Sequence, residues 1–93
     1  MNITEVKLRK VLDEGSLKAV LSVTIDDAFV IHDVKVIQTS TKRFVVMPSR
    51  TLADGTRKDV CHPINAATRE LFETAVLKVY EEYLENPQPL NED

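Results

Sequence analysis

Glycine, cysteine and aromatic side chains are scarce in this chain of 93 residues. Two glycines leave no material for a glycine-rich phosphate loop. A single cysteine, Cys61, excludes an internal disulfide and fits a reducing compartment. Aromatics make up 5% of the residues and none lies near the most basic loop, which argues against base stacking there. No apolar run approaches the roughly 20 residues of a membrane span. The N-terminal Met-Asn-Ile-Thr-Glu-Val shows no basic-then-apolar leader pattern. The expectation is a cytoplasmic protein without membrane contact. The length suits one small domain or half of a larger one. A core of this size is modest, so a partner chain would help to complete it.

The net charge of −3 argues weakly against a nucleic-acid partner. Its distribution argues otherwise. Residues 1–69 carry eleven Lys/Arg against eight Asp/Glu, a balance of +3. Residues 70–93 carry one Lys against seven Asp/Glu, a balance of −6, and the two sum to −3. A basic body with an acidic end can bind an anion locally, although such a split is also an ordinary solvated surface.

Along the chain, residues 3–12 read as a strand with Val6 and Leu8 inward, and Asp13-Glu14-Gly15 as a turn. Residues 17–25 have a period of two, with Leu17, Ala19, Leu21, Val23 and Ile25 on one face, and Asp26-Asp27 makes a tight connection. The third strand, about 28–38, changes phase at His32-Asp33. A β-bulge explains the slip, and so does a strand buried on both faces. Residues 43–47 give a fourth strand and Arg57–His62 a short fifth. A helix runs over 66–85 and Pro87 stops it, with Glu70 and Glu73 near its positive end. At 100° per residue, Thr68, Leu71, Phe72, Ala75, Val76, Val79 and Tyr83 form its apolar stripe. Leu77, Tyr80 and Leu84 fall outside the stripe. They predict contact with another subunit or a second layer, or else are scattered exposed side chains. The fold class is therefore α+β: an antiparallel sheet of about five strands within residues 1–62, then a C-terminal helix, in a single domain of residues 1–85. Residues 86–93 read as a disordered acidic tail.

Metal and catalytic chemistry find little support. His32-Asp33 and Cys61-His62 are of ligand type, but adjacent residues in extended backbone point to opposite faces. The same geometry disfavours a Cys61–His62 dyad, and Cys61 suits a small apolar filler. The histidines are expected to fix a bulge and a strand end through hydrogen bonds. The expectation is no enzyme, no metal, no cofactor and no small-molecule substrate.

What remains is the joint between sheet and helix. Pro48 marks a strand end or sheet edge, Asp54-Gly55 a turn, Pro63 an extended His62, and Asn65 a helix cap. Arg50, Arg57 and Lys58 flank the turn, Lys42 and Arg43 precede the fourth strand, and Arg69 lies in the first helical turn. Together they could form one phosphate-binding patch or a solvated rim.

Met47-Pro48-Ser49, Asp54-Gly55, Asp59 and His62-Pro63-Ile64-Asn65 resemble the stage V sporulation protein G (SpoVG) family of bacteria. So do Val6-Lys7-Leu8-Arg9 and the run from Ala28 to Ile37, in order and at matching spacing, over residues 1 to about 84. The resemblance implies a small, dimeric α+β regulator that binds DNA, and in some members RNA. It also implies roles in sporulation, where the founding member opposes asymmetric septation, and in other gene regulation in bacteria that form no spores. The family's DNA contact is attributed to the basic loop before the helix and to the helix itself. Where the family usually reads Met-Pro-Ser-Lys-Arg-Thr-Pro-Asp-Gly, this chain keeps a cation at Arg50 and loses one at Thr51, and Leu52-Ala53 replace Thr-Pro. Beyond Gly55 the usual Glu-Phe-Arg is Thr56, Arg57 and Lys58, which shifts the positive charge across the turn. The rival expectation is a protein-interaction module acting on septation without nucleic acid, through the acidic helix end and Leu77, Tyr80 and Leu84.

Overall fold

A computed structural model describes residues 1–90. Six strands and one helix follow in order: β1 (Ile3–Val11), β2 (Leu17–Ile25), β3 (Phe29–Gln38), β4 (Arg43–Val46), β5 (Ser49–Thr51), β6 (Arg57–Asp59) and α1 (Ala66–Glu85). β1 to β4 form an antiparallel meander in sequence order, and β5 and β6 form a separate two-stranded hairpin. This corrects the expected single sheet of about five strands. The basic stretch after Pro48 pairs with itself instead of extending the main sheet. Its strands are three residues each, and every residue from Arg50 to Val60 except Leu52 is exposed, so the hairpin stands out from the body.

The connections follow from local chemistry. Asp26 and Asp27 both have positive φ, 53° and 52°, and the Ala28 N–H donates to the Ile25 carbonyl at 3.0 Å. That is a two-residue mirror-image turn, whose twist matches the flanking strands. The Asp26 carboxylate also accepts from the Asn2 N–H at 2.9 Å, tying down the start of the chain. In the outer hairpin Gly55 has φ 91°, and the Asp54 carboxylate accepts from the Thr56 hydroxyl (2.7 Å) and N–H (3.0 Å). These bonds, the hydroxyl first, hold Asp54 below the usual carboxylate range.

The slip at His32-Asp33 is a bulge. Leu21 pairs with Val34 and Val23 with Ile31, so Ser22 faces two residues of β3, and Asp33 sits at φ 62°. The buried Ser22 hydroxyl accepts from Arg9 Nε at 3.1 Å and lies 2.9 Å from His32 Nδ1. His32 thus pins the bulge as expected.

The helix lies on one face of the sheet, against β1, β2 and β4. Asn65 caps it, its Oδ1 accepting from the Thr68 N–H at 2.7 Å. Leu21, Val23, Val34, Val36 and Val76 are fully buried between the layers. Each such side chain contributes roughly 1.5–3 kcal/mol of burial. On the helix the buried residues are Phe72, Val76 and Tyr80, spaced by four. Tyr80 therefore belongs to the core and is not an outward contact, whereas Leu71, assigned to the stripe, is 45% exposed. A period of four rotates the buried line relative to the average stripe, and the residue one turn beyond Val76 is Tyr80. Beyond the helix, residues 87–90 have no regular structure, yet Leu90 is half-buried and packs against the core. The remainder of the expected acidic tail, 91–93, lies outside the described residues.

Candidate nucleic-acid interface

The six cations singled out in the sequence do not gather into one patch. Arg50 pairs directly with Lys58 across the hairpin, so their side chains share one face. Arg57 pairs with Thr51 and donates from Nη2 to Ser49 Oγ at 2.8 Å, which places it on the opposite face, with Asp59. Two like charges in direct cross-strand register repel each other by a few tenths to 1 kcal/mol. Such a pair is least costly with an anion between its members.

Lys42 and Arg43 also part company. Arg43 points to the helix side of the sheet. It donates to Gln38 Oε1 (3.0 Å), bridges Glu81 (3.0 Å) and lies 5.2 Å from the centre of the Tyr80 ring. It fastens β4 to α1 and leaves the list of phosphate ligands. Lys42 turns to the other side, its Nζ 5.1 Å from the centre of the Phe44 ring. Alternation along the strand separates the two.

Arg69 lies in the first turn of α1, where no acidic residue is present to balance the positive pole of the helix. Glu70 and Glu73 sit further along and are too late for that role. Arg69 lines an open groove of about 750 Å³ with His62, Pro63, Ile64, Glu73 and Leu77. The groove runs from the end of the loop along the first half of the helix. The two carboxylates, Glu70 and Glu73, border it beside Arg69.

Three exposed apolar residues escaped the sequence reading. Phe29 is 66%, Val60 65% and Ile64 87% exposed. Ile64 was legible: an apolar residue just before a helix cap normally packs on the fourth helical residue, which here is Arg69. Phe29 was not, because its phase matches the half-buried Ile31 and only the reach of the helix decides how much of the strand is covered. Ile64 borders a pocket of about 290 Å³, lined also by Ile25, Ile31, Met47, Cys61 and Phe72 among others. Of the expected helix patch, Leu77 is half-buried against the core and Leu84 is exposed. His62 Nδ1 lies 3.0 Å from the Pro63 carbonyl. Among the described residues, no three His, Cys, Asp or Glu side chains gather as a metal site. Among the described residues, too, no helix is long and apolar enough to cross a membrane.

The family model for SpoVG matches residues 1–82, from the first strand to the last turn of the helix. This chain belongs to the SpoVG family. A SpoVG relative from Agathobacter rectalis, named "Putative septation protein SpoVG", is 50% identical over 86 residues, covering 92% of this chain and 99% of its own. Relatives of the same name from Clostridium acetobutylicum and Desulforudis audaxviator are 52% and 51% identical over 81 residues each, covering 87% of this chain and 85% and 92% of their own. The SpoVG match spans both the meander and the hairpin, so the basic hairpin is part of the family domain and not an appendage.

Proposed function

We propose that this SpoVG-family protein is a nucleic-acid-binding regulator that takes DNA, and also RNA, by its phosphates, in the control of sporulation, septation or gene expression. The observation that carries the reading is the Arg50–Lys58 pair on one face of a projecting hairpin. An exposed two-stranded ribbon fits the major groove of duplex DNA, and its cations meet the phosphates on the way in. Arg69, at the positive pole of the helix, adds a further cation at the base of the loop. The protein works in this reading as a cytoplasmic homodimer, without a catalytic step, a cofactor or a small-molecule substrate. The exposed Phe29, Val60 and Ile64 support the second copy, since a monomer gains nothing from leaving such side chains in water.

The test is fluorescence anisotropy of a mixed-sequence duplex between about 50 and 200 mM salt. Affinity is expected to fall steeply with salt, with a log–log slope near −0.9 for each phosphate contact. Arg50→Ala with Lys58→Ala should weaken binding to all sequences and flatten the slope by about two contacts. Unchanged affinity in that variant would remove the hairpin from the interface.

A second reading is a protein-interaction module on the septation machinery. The same exposed apolar residues favour it. Retained duplex binding after Phe29→Ser and Ile64→Ser, with loss of a division phenotype, would support it.

A further inference from the structure

The helix covers one face of the meander, and the other face carries six of the twelve Lys and Arg side chains: Lys7, Arg9, Lys10, Lys18, Lys35 and Lys42. Cross-strand partners share a face, so its membership follows from the register. Lys7 pairs with Ser22, and Lys10 with Val20, which pairs with Lys35, which pairs with Val46. Leu17 pairs with Ile37, and Ile37 with Phe44, over whose ring Lys42 folds. The hydrogen bond from Arg9 to Ser22 and the one between Ser22 and His32 run on the same face.

Three interruptions of the ladder enlarge this set. A bulge sets two consecutive residues against one on the neighbouring strand and turns both to the same side. Arg9 and Lys10 face Val20 in this way, Leu17 and Lys18 face Ile37, and His32 and Asp33 face Ser22. Three of these six residues are cations that regular alternation would have divided between the faces. The carboxylates of the face are Glu5 and Asp33, with Asp13 and Glu14 in the turn beyond one end and Asp26 and Asp27 in the turn beyond the other. The helix, on the far side, carries Glu70, Glu73, Glu81, Glu82 and Glu85 against Arg69 and Lys78. The open face thus holds six cations against two carboxylates, whereas the helix holds five carboxylates against two cations.

We infer that the uncovered sheet face is a second polyanion surface, built for a single-stranded nucleic acid lying across the strands. Lys10, Lys18, Lys35 and Lys42 carry the assignment. Strands about 4.8 Å apart place the Lys10 and Lys35 backbones about 10 Å apart, with Val20 between them. Cations therefore alternate with a half-buried apolar floor of Val20, Ile37, Val46 and Phe44. Duplex DNA hides its base faces and would leave that floor unused, whereas an unpaired strand offers flat apolar bases and phosphates together. Phe44 supplies an aromatic face on this surface, which the hairpin lacks. A second copy of the same face is disfavoured by like charge. The inference shares the polyanion chemistry of the proposed function but rests on a different surface from the hairpin.

The experiment uses the full chain and two labelled probes, a 20-mer pyrimidine-rich RNA and a mixed duplex of equal length. In Lys10→Gln/Lys18→Gln/Lys35→Gln, single-strand affinity should fall at least tenfold. The salt slope should shrink by about two, at roughly 0.7 per lost contact, with duplex affinity within about twofold. Phe44→Leu should weaken the single strand without changing its slope. Circular dichroism checks folding. If the triple variant is not folded, each single Lys→Gln change should still lower single-strand affinity two- to threefold. Unchanged single-strand binding, or equal loss on both probes, overturns the inference. Binding only to anionic vesicles, or a triple variant altered only in self-association, also overturns it. Failure of the hairpin reading shows separately, as duplex binding that survives Arg50→Ala/Lys58→Ala.

Discussion

Asn65 shows how much one side chain settles. Its carbonyl oxygen satisfies the Thr68 N–H, one of the four donors that every helix start leaves open. Asn65→Ala should cost about 1 kcal/mol, read as a lower urea midpoint with an unchanged slope. Asn65→Asp should retain the cap and most of the stability. Asp33 presents the opposite case, a residue whose backbone conformation was legible only as a break in pattern. Its φ of 62° lies where Asp and Asn are tolerated and branched residues are not. The change of apolar phase between Ile31 and Val34 signals the slip, and the hydroxyl of Ser22 one strand away completes it. Nothing in the numbering links residue 22 to residue 32; the pairing does.

Among the elements, the helix was bounded correctly by its cap and Pro87, but its faces were misjudged. A wheel averages direction over twenty residues, while burial depends on which turns meet the sheet. Phe72, Val76 and Tyr80 meet it, and Arg43 packs on the Tyr80 ring from β4. Tyr80→Ala should therefore cost about 3–5 kcal/mol, as large-to-small core changes do, and denaturant unfolding measures it. Leu84→Ala, at an exposed position, should fall within about 0.5 kcal/mol of the parent. Oligomer loss at full stability in Tyr80→Ala would restore that residue to an interface. The hairpin shows a similar limit. Asp54-Gly55 announces a turn, but whether the arms join the main sheet or stand alone depends on where β4 ends, at Val46 ahead of the non-donating Pro48.

At the scale of the whole molecule, six of the twelve Lys and Arg lie on the open sheet face and five glutamates lie on the helix opposite. The acidic helix should repel nucleic acid at long range, and reversing its charge tests this. Glu82→Lys with Glu85→Lys should raise the association rate for a labelled strand at low salt and lose the advantage as salt rises. Glu81 is best left intact, since it bridges Arg43; that half-exposed pair is worth no more than about 1 kcal/mol. If the same double change leaves binding alone but removes a septation phenotype, the acidic end serves a protein partner.

Sequence alone determined the strand periods, the turns at Asp26-Asp27 and Asp54-Gly55, the helix limits and the membership of the SpoVG family. These depend on neighbours a few residues apart, or on a motif order that needs no coordinates. Only the tertiary structure decided which cations stand together. Lys42 and Arg43 are adjacent in the chain and lie on opposite sides of the sheet, while Lys10 and Lys35 are distant in the chain and share a row. Charge acts through space, so its groupings become visible when register and bulges are known.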